Sequence, residues 1–132
     1  PRRPINEYIF PDDVITSPSK INQIFERLTW LCFVGHTHVP GVFTDEPDFY
    51  SPDELGRRTY TITAGEKALI NVGSVGQPRD HDPRASYAIL HANGDLSVEF
   101  VRVEYDIAAT AEKIKSIPEL SDWLGERLYE GR

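Results

Sequence analysis

Two apolar periods alternate along this chain, and together they predict helices layered on strands. Ile21, Ile24, Phe25 and Leu28 recur at i, i+3, i+4 and i+7, one face of a helix able to pack on a sheet. Ser17 stands where a cap belongs, and Pro18 occupies the first turn, where a missing N–H costs nothing. The chain then enters residues 30–34, an unbroken apolar run that suits a fully covered strand. Beyond residue 40 the apolar runs shorten to strand length, around Val42 and Phe43, over 60–63 and over 68–72. Residues 44–58, with Pro47, Pro52, several acids, Arg57 and Arg58, read as a solvated surface loop near the mouth of a site.

Residues 86–91 and 96–105 flank Ala92-Asn93-Gly94-Asp95, and Asn-Gly between two apolar arms predicts a hairpin because both residues tolerate positive φ. In the second arm Leu96, Val98 and Phe100 alternate, then Val101, Val103 and Tyr105 continue in the opposite phase, which predicts a bulge near Phe100. Asp106 is placed to cap a helix with Ile107, Ala111 and Ile114 on one face, limited by Pro118. A shorter helix follows, with Leu120, Trp123, Leu124 and Leu128 as its stripe and Gly131 at its end. A helix feeding a strand, then short strands, a hairpin and closing helices, is α/β in class and α+β within this segment.

Composition narrows the functions open to such a chain. At 132 residues, 39% hydrophobic and 11% aromatic, it is the size of one domain and can build a core. Fourteen basic against 21 acidic residues give a net charge of -7, which argues against binding nucleic acid by bulk charge. No apolar run is long enough for a bilayer and no amino-terminal signal pattern is present, so no membrane partner and a cytoplasmic location are expected. The single cysteine, Cys32, lies in the 30–34 run and reads as a small hydrophobe.

Chemistry concentrates immediately after the first strand, at Gly35-His36-Thr37-His38. Gly35 is expected to let the backbone turn, and His36 and His38, as i and i+2, share a face in extended structure. Neutral imidazole is the commonest nitrogen ligand for transition metals, and open α/β sheets bind ligands beyond the carboxyl ends of their strands. Two histidines beside a turn are also what an ordinary solvated loop shows, so the surrounding wording decides. Val34-Gly35-His36-Thr37-His38-Val39-Pro40, then Leu69-Ile70-Asn71-Val72-Gly73-Ser74-Val75-Gly76-Gln77-Pro78-Arg79, then Asp82-Pro83-Arg84-Ala85-Ser86-Tyr87-Ala88 resemble the calcineurin-like metallophosphoesterases, and within them the small bacterial and archaeal phosphodiesterase branch. The resemblance runs from Pro1-Arg2-Arg3-Pro4 to about Asp106.

That resemblance implies half of a β-sandwich flanked by helices, with residues 1–132 the carboxyl-terminal portion of a single domain. It implies two divalent ions, manganese, iron, nickel or zinc, with one each on His36 and His38, and hydrolysis of a phosphomonoester or phosphodiester by a hydroxide held between them. The family's Asp-x-His, Gly-Asp-x-x-Asp and Gly-Asn-His motifs are absent, so the metal site is incomplete and no catalytic residue is assigned within the chain. The isolated segment is expected to bind metal weakly and to need the missing amino-terminal half or a partner chain, without which one strand face would present an apolar patch. A non-catalytic protein-binding scaffold on the same fold is the alternative.

For the phosphate-ester substrate the candidate contacts are Asn71, Ser74 and Arg79, with Arg84 as a helper. Asn71, Gly73, Ser74 and Gly76 can present backbone N–H groups to an anion, or simply form a turn. Arg79 either clamps a phosphate or pairs with Asp80 or Asp82, the pairing being preferred. His81 is read as facing water and His91 as a polar rim residue.

Overall fold

The computed structural model describes residues 6–132; the opening Pro1-Arg2-Arg3-Pro4 of the resemblance lies outside them. A short helix, α1 (Asp13–Thr16), leads into α2 (Pro18–Arg27), whose Ile21, Ile24 and Phe25 are buried on one face. Strands β1 (Leu31–Val34), β5 (Ala68–Asn71), β2 (Gly41–Thr44) and β3 (Phe49–Tyr50) form one sheet in the order β1-β5-β2-β3. Strands β4 (Thr59–Thr61), β7 (Ser97–Val103) and β6 (Ala85–His91) form a second, in the order β4-β7-β6. The helices α3 (Ile107–Lys115) and α4 (Trp123–Glu126) and a 3-10 turn, Arg127–Glu130, close the chain. Among the described residues no helix is long and apolar enough to cross a membrane.

The pleat of the first sheet sorts its side chains into two cores. Phe43 and Leu69 join Ile9, Ile21, Ile24 and Phe25 under α2, with Cys32 and Val34 packed alongside. Val42, Ala68 and Ile70 point the other way, toward Val98 and Phe100 of the second sheet and Ile62. Successive residues of β2 and β5 thus serve opposite layers, as period-two geometry requires. The result is α+β: two sheets face to face, with helices outside them.

Several local expectations need correction. Among the described residues, 30–34 do not make a covered strand: β1 pairs only with β5 there and lies at the edge of its sheet, and Phe33 stays 43% exposed and Trp30 51%. The hairpin forms, but without a bulge, since the register runs unbroken from Ala85↔Val103 to His91↔Ser97. The change of phase reflects an apolar outer face instead, where Tyr87, Ile89 and Val103 are exposed. Arg102 takes the inward position that a hydrophobe would have held, and its side chain is 4% exposed. Ser17 makes no side-chain cap, although its carbonyl accepts from Lys20 and Ile21 N–H. Asp106 does cap α3, accepting from Ala109 N–H at 2.8 Å. In the closing helices Leu128 is buried but Leu120 and Trp123 are exposed. Residues 44–58 are more ordered than a loop, containing β3 and a 3-10 turn, Gly56–Arg58.

Candidate metal centre

β1 and β5 run parallel with Val34 opposite Asn71, so both leave the sheet at the same edge. The turn from Gly35 to His38 begins there, and Val72 N–H donates to Val34 carbonyl at 3.0 Å to hold the two exits together. Gly35 is not the residue that bends the chain. His36 and His38 themselves take left-handed backbone, with φ of 75° and 64°. Histidine is among the few side chains enriched in that region, and such conformations gather at functional sites because the surrounding structure must hold them.

Buried Asn71 does that holding. It is 1% exposed, and its amide donates to Gly35 carbonyl at 3.2 Å and to Thr37 Oγ1 at 2.6 Å, while its Oδ1 accepts from Gly73 N–H at 3.0 Å. Thr37 is drawn inward, 2% exposed, with His36 exposed on one side of it and His38 half-buried on the other. Gly73, at φ 78°, is required here: a Cβ would lie 2.6 Å from Ser86 Oγ and 3.1 Å from Pro40 Cβ. Ser74 closes the next turn, its Oγ accepting from Gln77 N–H at 2.9 Å and Gly76 N–H at 3.3 Å.

That turn delivers Gln77 carbonyl to His38 Nδ1 at 2.7 Å. A carbonyl only accepts, so Nδ1 carries the proton and the lone pair is on Nε2, the arrangement a metal ligand needs. Burial pushes the His38 imidazole below its ordinary value. The Gln77 carbonyl pulls it partly back, and positive charge from Arg79, His36 and Arg127 pushes it down further. His36 is held differently: it is exposed, and its ring stacks on Tyr8 with centroids 4.1 Å apart. Tyr8 in turn stacks on Phe10.

Arg79 pairs with neither Asp80 nor Asp82. Its Nη2 donates to Gln77 Oε1 at 2.7 Å, and its N–H to His38 carbonyl at 3.2 Å. The two carboxylates belong to other arginines: Asp80 pairs with Arg102, and Asp82 with Arg84 at 2.6 Å and Arg102 at 3.5 Å. Asp82 is pulled down to about 2, chiefly by the Arg84 hydrogen bonds. Arg84 is therefore committed to loop structure. His81 is exposed at φ 66°, and exposed His91 contacts Glu99 at 2.8 Å.

Two imidazoles with a fixed tautomer on one of them fit a divalent cation by donor chemistry. Among the described residues, no group of three or more His, Cys, Asp or Glu converges, so the chain offers two nitrogens where a catalytic zinc takes at least three ligands. Sequence reasoning missed Tyr8 and Gln77, each of which reaches the histidines through contacts between distant parts of the chain.

No family model matches the chain. It is 43% identical, over its whole length, to an uncharacterized protein of Methanocaldococcus jannaschii, of which it spans 49%. It is 37% identical to a metallophosphoesterase from Sphaerobacter thermophilus. It superimposes on that crystal structure with a TM-score of 0.81 over 99% of this chain and 53% of the other. The fold is thus half of a metallophosphoesterase fold, and the chain spans about half the length of both relatives.

Proposed function

We propose that this chain supplies the His36 and His38 arm of a dinuclear metal centre that hydrolyses phosphate esters, monoesters or diesters, the remaining ligands coming from outside these 132 residues. The observation that carries the reading is the pinned turn: two histidines on left-handed backbone, one with its tautomer set by Gln77, at the carboxyl ends of paired strands. Bound divalent cations would lower the pKa of water and neutralise phosphoryl charge.

The chain's own residues prepare the site. Gln77 orients His38, Tyr8 restrains the His36 ring, and Asn71 fixes the path between them. Asn71 acts on the ester through this turn, because its amide is spent on three internal bonds, whereas Ser74 Oγ accepts two and keeps its O–H to donate to an ester oxygen. Arg79 is the candidate substrate contact, since its charge lies beside His38 without a carboxylate.

The test compares this chain with a longer one that also carries Asp-x-His, Gly-Asp-x-x-Asp and Gly-Asn-His. Manganese-dependent hydrolysis of a chromogenic phosphodiester is expected from the longer chain only. His36→Ala or His38→Ala there should lower turnover by at least about a hundredfold. Full turnover in either variant would remove these histidines from the mechanism.

A further inference from the structure

Just before α1 the side chains alternate as in extended chain, and the alternation leaves two aromatic rings outside. Ile9 is 5% exposed in the core under α2, whereas its neighbours Tyr8 and Phe10 are 43% and 46% exposed. Their rings are parallel to within 1° with centroids 5.4 Å apart, and Tyr8 also lies on His36 at 4.1 Å. The three rings form a row that starts at a candidate metal ligand and ends at Phe10. Helix-side contacts pin the outer end: Phe10 N–H donates to Asp13 Oδ2 at 2.7 Å, and Lys20 Nζ donates to the same oxygen at 2.6 Å.

Facing the rings, α2 contributes Lys20, Gln23 and Arg27, which share one side of the helix at i, i+3 and i+7. Tyr8, Phe10 and this polar stripe line one cleft of about 800 Å³, with Asn6 and Glu7 completing it. That is within the roughly 300–1,000 Å³ typical of sites for small organic ligands. The two walls differ in chemistry. One is flat aromatic surface left wet, which a second planar ring would cover favourably. The other is rich in hydrogen-bond donors: among the described residues Arg27 has no ion pair, and Lys20, though paired with Asp13, carries three N–H groups. Because Tyr8 belongs both to the cleft and to the His36 stack, a molecule seated there lies next to the candidate metal centre.

We propose that this cleft is the subsite for the organic group of the ester, a heteroaromatic ring of the nucleobase type. Phe10 and Tyr8 supply the ring contacts, and Arg27 and Lys20 donate to the acceptor edge of the base. Aromatic side chains and arginine are the groups on which an unstacked base is held, and base edges are read by hydrogen bonds from such donors. That the base arrives as part of a phosphate ester rests on the phosphoesterase reading, whereas recognition of the ring itself depends only on the cleft.

The test is an NMR titration of the metal-free 132-residue chain with guanosine 5′-monophosphate, whose base presents two acceptors on one edge, with ribose 5-phosphate as the control that lacks the ring. The Tyr8 and Phe10 ring signals should shift and saturate with the nucleotide only, while those of Tyr87 and Trp123, exposed elsewhere, stay in place. Phe10→Leu keeps the apolar bulk, loses the flat face, and should weaken binding at least about fivefold, whereas Phe10→Tyr should retain it. Arg27→Gln should weaken it severalfold. No saturable shift, equal shifts with ribose 5-phosphate, or unchanged affinity in Phe10→Leu overturns the subsite. Turnover by the longer chain separates the two ideas. Manganese-dependent hydrolysis of a chromogenic phosphodiester with no nucleotide binding at the rings would sink the subsite alone. Nucleotide binding at the rings with no turnover would sink the phosphoesterase reading and leave the cleft as a nucleobase site.

Discussion

β1 and β5 lie side by side in parallel, yet they are opposite kinds of strand. All four residues of β5 are buried, between β1 on one side and β2 on the other, and it ends in the amide that fixes the neighbouring turn. Among the described residues β1 has a partner on one side only, none of its residues is fully buried, and it leads into the histidines. The difference separates support from presentation. The covered strand supplies rigidity through Asn71, and its less covered neighbour leads directly into the imidazoles. A site built across the pair obtains left-handed backbone at two side chains without a glycine at either.

The comparison breaks most visibly in the core. Leu69→Ala on β5, 1% exposed and packed under α2, should cost about 2–5 kcal/mol, whereas Phe33→Ala on β1 should cost less than about 1.5 kcal/mol, both measured by urea denaturation. Equal losses would mean that the edge strand is as structural as the central one.

Next in size is the link between the strands. Asn71→Ala removes three internal hydrogen bonds and orphans the Gly35 carbonyl, Thr37 hydroxyl and Gly73 N–H, at a cost of about 2–3 kcal/mol. It should also broaden the His36 and His38 ring signals as their backbone is released. A variant that keeps sharp, unshifted histidine signals would show that the turn holds itself.

The smallest effect is a pH dependence. The folded His38 imidazole lies below its ordinary 6.5, so it titrates at lower pH in the native chain than in the unfolded one. Its contribution to stability is complete above about 6.5 and is lost as pH falls through the folded value, because the unfolded chain takes up the proton first. An NMR titration should place its midpoint under 6.5, and His38→Gln should remove that part of the acid sensitivity. A midpoint above 6.5 would mean that the Gln77 carbonyl outweighs burial.

What the sequence made legible was local. The α2 stripe, the Asp106 cap and the Asn93-Gly94 hairpin each depend on residues within a few positions of one another, and each forms, although only Gly94 of the hairpin pair takes positive φ. The expected bulge failed because a run of apolar residues was taken to face one core throughout. An exposed face carrying Val101 and Val103 satisfies the same letters without a break in register. The histidines were marked by their own motif, but their setting was not. Asn71 has the type of a substrate contact, and only its place at the buried end of β5 makes it a brace. Gln77 and Tyr8 lie far along the chain from His38 and His36, and no spacing rule connects them. Arg102 took Asp80 and Asp82 from Arg79 through a strand register that single-residue reasoning does not specify.

The left-handed backbone at both imidazoles also limits how the centre could decay over descent. Asparagine, aspartate and glycine are the residues best suited to that conformation, while valine, isoleucine and most bulky side chains are strained in it. A lineage that abandoned the metal while keeping the fold would therefore drift along a narrow path. Its record would be Asn, Asp or Gly at positions 36 and 38, legible in a bare alignment before any assay is run.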